Sequence, residues 1–288
     1  MLRGLDMHIE KGDVYGFLGR NGCGKTTTMN IIANIIPKDE GEIILGAGLT
    51  GEPQPITIGY LPESPMIYNY MTAREYLEYI AACCSYNGDI PKRVNEVLEI
   101  VGLMDAADRR SKGYSRGMTQ RLGMGAAILN NPDLLIFDEP TSALDPQGRA
   151  EVIAIINNLK NMGCTIVLST HILSDVERVA NRIGIMNNGT LAEEGYIGDL
   201  LKKYGSDRVT LSLRGLDDDK KLKLLAVDFA RAEFNNDNNK FMFYSEDTED
   251  CAAKLVRVMA DNSMIPENLS IGSASLEDLF RKVVGENA

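Results

Sequence analysis

The chain is short of three things, and each shortage closes off a class of function. No uninterrupted apolar run reaches the roughly 20 residues that a membrane-spanning helix needs, and no secretory leader opens the sequence. Basic residues are outnumbered, 30 Lys and Arg against 41 Asp and Glu, for a formal net charge of −11. That balance argues against nucleic-acid binding and against direct lipid binding, both of which need a basic face. Cysteine is sparse and unpatterned: Cys23, Cys83, Cys84, Cys164 and Cys251 are odd in number and show no C-x-x-C spacing. Neither a disulfide framework nor a zinc site is implied. A cytoplasmic protein is expected, reaching a membrane only through a protein partner. With 288 residues and 44% hydrophobic content, it can build one large domain or two smaller ones.

What is present gathers first between Gly19 and Thr27. The stretch Gly19-Arg20-Asn21-Gly22-Cys23-Gly24-Lys25-Thr26-Thr27 fits the phosphate-binding pattern G-x-x-x-x-G-K-[ST]. Residues 13–18 read as a short buried strand before it, and Met29, Ile32, Ala33 and Ile36 give a helical spacing after it. In that setting the glycines let the backbone turn with its N–H groups inward. The positive end of the helix completes an anion cradle. Lys25 adds a mobile charge for the β- and γ-phosphates, and the Thr26 hydroxyl can ligate Mg²⁺.

Loose alternation over 1–12 (Leu5, Met7 and Ile9 against Asp6, His8 and Glu10) predicts a half-buried strand, and 42–45 and 56–61 predict two more. Helices are predicted over 72–86, 91–101 and 117–130, a mostly helical section that interrupts the sheet. The apolar run at 134–137 suits a parallel strand buried on both faces, and a helix (146–162), strand (165–168), helix (173–180) and strand (182–186) follow. This alternation predicts a layered α/β core. After about Gly205 the pattern changes to strand (208–213), charged helix (217–228), turn (235–239), strand (240–244), helix (248–261) and a last helix capped from Ser275. Residues 206–288 are expected to form a small α+β appendage without chemistry of its own.

Phe137-Asp138-Glu139-Pro140 puts two carboxylates at the C-terminal edge of a parallel sheet, where such folds bind ligands. Asp138 is placed to hold Mg²⁺, and Glu139 is free to act on an attacking water as general base. Residues 114–121, Tyr-Ser-Arg-Gly-Met-Thr-Gln-Arg, resemble the signature of the ABC ATPases. Ser142-Ala143-Leu144-Asp145 is similar to that family's D-loop, and Ser169-Thr170-His171 to its switch-histidine segment. The motifs stand in the family's order, and the resemblance covers about residues 1–205.

The resemblance implies a P-loop NTPase core with N-terminal antiparallel strands and a helical subdomain over about 68–130, followed by the small α+β domain. It implies ATP hydrolysis in a site shared by a homodimer or heterodimer. The phosphate loop, Asp138, Glu139 and His171 of one protomer would face Ser115 and Gly117 of the other, with Asp145 in the D-loop between them. His171 would bond the γ-phosphate or hold the water. Integral-membrane permease subunits are the implied partners, and Gly-Tyr-Leu-Pro-Glu and Ser-Leu-Glu-Asp-Leu-Phe look like the exporter branch with separate permeases. A soluble ABC ATPase without a transport role, or a module regulated by residues 206–288, are the alternatives. Four departures stand out. Glu63 replaces the usual glutamine and can ligate Mg²⁺ directly, and the signature carries Arg116 and Met118. Cys23 lies inside the phosphate loop, where alkylation would place bulk. The aromatic residue that stacks on adenine in the family would fall before Met1, so weak base discrimination is expected.

Overall fold

The predicted strand ahead of the phosphate loop is β1 (Val14–Gly19), buried along its whole length in the computed structural model. It is followed by β2 (Ile58–Leu61), β3 (Leu134–Asp138), β4 (Thr165–Thr170), β5 (Arg182–Asn187) and β6 (Thr190–Tyr196). The sheet order is β2-β3-β4-β1-β5-β6, parallel except for the antiparallel β5–β6 hairpin. Every residue of β3 is buried, as its unbroken apolar run requires. The structure describes all residues except 1, 47–53, 205–207, 215–216, 226–230, 236–239, 246, 273–274 and 286–288.

Helices connect these strands: α1 (Lys25–Ile32), α2 (Ala73–Cys83), α3 (Ile90–Ile100), α4 (Arg116–Ile128), α5 (Pro146–Asn161) and α6 (Leu173–Val179). Their starts are written in the sequence. Thr72 and Glu75 form a reciprocal capping box on α2, Asp89 caps α3, Ser115 caps α4 and Asp145 caps α5. Apolar faces at helical spacing then bury Tyr76 and Leu77, Val94, Val97 and Leu98, and Leu122 and Met124. Gly16 lets α6 approach β1, because a Cβ there would lie 2.5 Å from Val176 Cγ1.

The N-terminal antiparallel strands do not form among the described residues. Leu2, Leu5, Met7 and Ile9 pack against the cluster around Tyr15, Phe17 and Met29, so their alternation does report burial. Their backbone is tethered without a ladder: Arg3 N donates to Gly189 O at 2.8 Å, and His8 N donates to Glu194 Oε1 at 2.9 Å. At 42–45, Ile43 and Ile44 face solvent, and one bond from Gln54 N to Leu45 O does not extend into a strand pair.

The chain divides into two units, Met1–Ile197 and Gly198–Ala288. From α7 (Ile197–Tyr204) the second runs through β7 (Arg208–Leu213), α8 (Asp218–Leu225), β8 (Arg231–Asn235), β9 (Lys240–Tyr244), α9 (Thr248–Asp261), β10 (Pro266–Gly272) and α10 (Leu276–Val284). Its antiparallel sheet has the order β10-β7-β9-β8. Val209, Leu211 and Leu213 alternate into a core with Phe241, Phe243, Leu255 and Met259. The turn signal at 235–239 and the end of the charged helix fall largely outside the described residues.

Candidate active site

Register brings the motifs together. Ser169 on β4 lies beside Asp138 of β3 on one side and Phe17 of β1 on the other, so the three strands end level. Beyond β1 the phosphate loop turns through Gly22 (φ 80°) and Gly24 (φ 114°) into α1. Lys25 is buried, and its Nζ donates to Gly19 O at 2.8 Å and Arg20 O at 3.3 Å. The same ammonium lies 3.4 Å from Glu139 Oε1.

Thr26 Oγ1 donates to Asp138 Oδ1 at 3.2 Å, and the Ser169 hydroxyl donates to the same carboxylate oxygen. Glu139 holds a left-handed backbone (φ 46°), a conformation that costs about 1–3 kcal/mol outside glycine unless its surroundings impose it. Those surroundings are Ser169 again: Glu139 N donates to Ser169 O at 3.1 Å and to Ser169 Oγ at 3.0 Å. The twist aims the Glu139 side chain so that Oε1 meets Lys25 while Oε2 lies 2.9 Å from His171 Nδ1. Nearby, burial and then the Asp138 carboxylate push the Tyr60 phenol up to about 12, so it stays neutral, donating to Asn30 Oδ1 at 2.8 Å.

A cleft of about 330 Å³ opens onto this arrangement, lined by Asn21, Gly22, Gly24, Lys25, Thr26 and Thr27 together with Glu63, Glu139, Ser142 and His171. Amides at a helix start, a lysine and a base-like carboxylate suit a polyphosphate. Hard oxygen donors converge as Mg²⁺ prefers, with Thr26 and Asp138 adjacent and Glu63 on the wall. Among the described residues no group of three or more His, Cys, Asp or Glu could hold a metal. Mg²⁺ takes few protein ligands and completes its shell with water and phosphate, so the donor set fits it.

A family model described as "ABC transporter" matches residues 2–142. The chain is 34% identical over 288 residues to the ABC transporter ATP-binding protein YcbN of Bacillus subtilis, covering 99% of this chain and 92% of that one. It is 35% identical over 286 residues to the bacitracin transport ATP-binding protein BcrA of Bacillus licheniformis, covering 98% and 91%. This chain belongs to the ABC transporter ATP-binding proteins. It is therefore the ATP-binding subunit of an ABC transporter, and ATP hydrolysis is its reaction. Its fold matches the ATP-binding cassette MJ0796, a dimer in a post-hydrolysis state bound to ADP and Pi. The TM-score is 0.60 at 25% identity, over 68% of this chain and 90% of that one.

In this ABC ATPase the sequence-named residues fall into two groups. The loop 19–27, Asp138, Glu139, His171 and Glu63 gather at or behind the cleft. Ser115, Gly117 and Asp145 do not line it. Ser115 Oγ accepts from Met118 N at 3.2 Å and Asp145 Oδ1 from Gly148 N at 2.9 Å, so within one protomer both act as helix caps. Arg20 contributes its carbonyl to Lys25, and Cys23 is half-buried, its Sγ 2.6 Å from where a Cβ on Gly19 would sit. Sequence reasoning gave no separate role to Ser142, which lines the cleft, or to Ser169, which braces both carboxylates. The signal for Ser169 was its place two residues before His171 on a strand paired with β3.

Proposed function

We propose that this subunit hydrolyses ATP at a site completed by a second ATPase subunit and drives export through separate integral-membrane permease subunits. The observation that carries the chemistry is the Glu139 carboxylate, buried at the mouth of the phosphate cleft and held between Lys25 at 3.4 Å and His171 at 2.9 Å. With its proton on Nδ1, His171 donates to Glu139 Oε2 and fixes the carboxylate's direction. Glu139 takes a proton from water as the water oxygen bonds to the γ-phosphorus and the bond to the bridging oxygen of ADP breaks. Lys25 and the loop amides stabilise the charge on the phosphates. Thr26, Asp138 and Glu63 would hold Mg²⁺, which supplies further charge neutralisation there. Ser115 and Gly117 would reach the γ-phosphate from the second subunit, beside Asp145.

Two observations support the transport reading. BcrA, alike over nearly the whole chain, is named for bacitracin transport. On the first unit, Met66, Tyr68, Tyr70 and Tyr79 stand exposed, with Tyr68 stacked on Tyr70 at 5.7 Å and edge-on to Tyr79 at 5.7 Å. Exposed aromatic and Met side chains are enriched where proteins dock on proteins. No helix among the described residues is long and apolar enough to cross a membrane. Turnover should rise when purified permease subunits are added and stay flat with RNA or DNA; a flat response to the permease would remove the transport role. Glu139→Gln should retain ATP and lose about two to four orders of magnitude in turnover.

A further inference from the structure

Asp175 is among the most deeply buried charged side chains in the first unit, 1% exposed, and it does not line the cleft. It sits on α6, four residues after His171. Its Oδ2 accepts from Thr141 Oγ1 at 2.6 Å, and its Oδ1 accepts from Arg149 Nε at 2.6 Å. Thr141, itself 2% exposed, lies in the loop between Glu139 and Asp145. Arg149 stands in the first turn of α5, just past the Asp145 cap, and also donates to Ser174 Oγ at 2.9 Å. One carboxylate therefore grips three segments: the helix that continues from His171, the loop that begins at Glu139, and the helix that begins at Asp145.

That loop needs an external hold. Its backbone turns left-handed at Glu139 (φ 46°) and again at Ala143 (φ 52°), closed by Ser142 N to Glu139 O at 3.1 Å and Leu144 N to Thr141 O at 3.4 Å. Such conformations persist only where neighbours impose them. If packing were the whole task, apolar side chains would serve as well, since replacing a buried ion pair by hydrophobic residues is often neutral or stabilising.

We propose that Asp175 is a positioning residue for hydrolysis: by binding Thr141 and Arg149 it keeps the Glu139 carboxylate and the His171 ring in register. This rests on the reading of Glu139 as base. A shift of about 1 Å between reacting groups costs on the order of 100-fold in rate. Thr141→Val removes only the hydroxyl's hydrogen bond and is the fold-sparing test; Asp175→Asn is the direct one.

The experiment is single-turnover phosphate release on the full chain, with ATP affinity and melting temperature measured alongside, in the parent and in Glu139→Gln. Both variants should slow the parent about ten- to a hundredfold, leave ATP affinity within about twofold and add nothing in the Glu139→Gln background. Thr141→Ser, which keeps a hydroxyl, should restore the parent rate. Wild-type turnover in Thr141→Val would overturn the proposal, and so would an equal loss in both backgrounds, because a general structural defect adds to any other. If Asp175→Asn fails to fold, Thr141→Val decides alone. The underlying reading fails differently, through a Glu139→Gln enzyme that turns over like the parent.

Discussion

In the first unit the buried set includes Asp13, Lys25, Asp138, Glu139 and Asp175, whereas in the second no charged side chain among the described residues is buried. The second unit's core of Val209, Leu211, Phe241, Phe243 and Leu255 is apolar throughout. Its least exposed ion pair among the described residues, Arg208 with Asp278, keeps about a fifth of each side chain in contact with solvent. Burying a charge costs several kcal/mol unless it is paired and hydrogen-bonded. A core that holds no charged group avoids that cost, as the second unit's does. Apart from Asp13 at the far end of β1, the first unit accepts it along one line, from the phosphate loop through Asp138 and Glu139 to Asp175, where the proposed ATP chemistry sits.

The sharpest way to break this contrast is a pair of substitutions that should fail in opposite ways. Glu139→Gln should lose turnover by the two to four orders stated above while melting much like the parent. Phe241→Ala should leave ATP binding within about twofold and cost about 3–5 kcal/mol of stability. Phe241 is fully buried, 4.6 Å from the Phe234 ring and 5.9 Å from Phe243. Calorimetry with and without ATP separates the two outcomes, and loss of ATP binding in Phe241→Ala would show that the second unit governs the site.

A smaller effect concerns acid. Burial alone would raise the Asp278 carboxyl, but hydrogen bonds from Ser275 and Arg208 hold it below its usual value. A carboxylate with a lowered folded-state value stabilises the fold above its unfolded value of about 3.9 and loses that contribution as pH falls further. The second unit should therefore soften below about pH 4, and Asp278→Asn should flatten that part of the melting-temperature profile. An unchanged profile in the variant would assign the acid sensitivity elsewhere.

The smallest effect compares two serines with one geometry. Ser115 caps α4 and Ser275 caps α10, each accepting from the backbone N–H three residues on, at 3.2 and 3.3 Å. Replacing either by alanine should cost about 1 kcal/mol of stability. Only Ser115→Ala should also slow hydrolysis, because only that hydroxyl is expected at a γ-phosphate. Equal turnover in the two variants would reduce Ser115 to its capping role.

How far the sequence was legible follows the same division. The phosphate loop, the apolar run of β3 and the Asp138–Glu139 pair were readable because each needs a specific residue type at a fixed spacing. The edge strands β6 and β10 were not, although β2, also at an edge, was. β6 is half-exposed with Glu193 and Glu194 in its middle, and β10 begins at Pro266 and is mostly solvent-facing, so neither shows the apolar alternation that betrays a strand. At the N-terminus the reverse held: Leu5, Met7 and Ile9 alternate and are partly buried, but alternation cannot say whether a neighbouring strand is there to pair. In the site, Asp175 was invisible because its partners Thr141 and Arg149 come from other segments, at separations no local pattern encodes.

The left-handed backbone at Glu139 has a consequence for how this protein can change. Glycine would occupy that φ without strain, recovering about 1–3 kcal/mol, while removing the carboxylate proposed as the base. Lys25 would lose one partner but keep the Gly19 and Arg20 carbonyls. With Glu139 as the proposed base, the needs of the fold and of the reaction at position 139 point in opposite directions, so random drift there would lead toward a stable chain that holds ATP and does not cleave it.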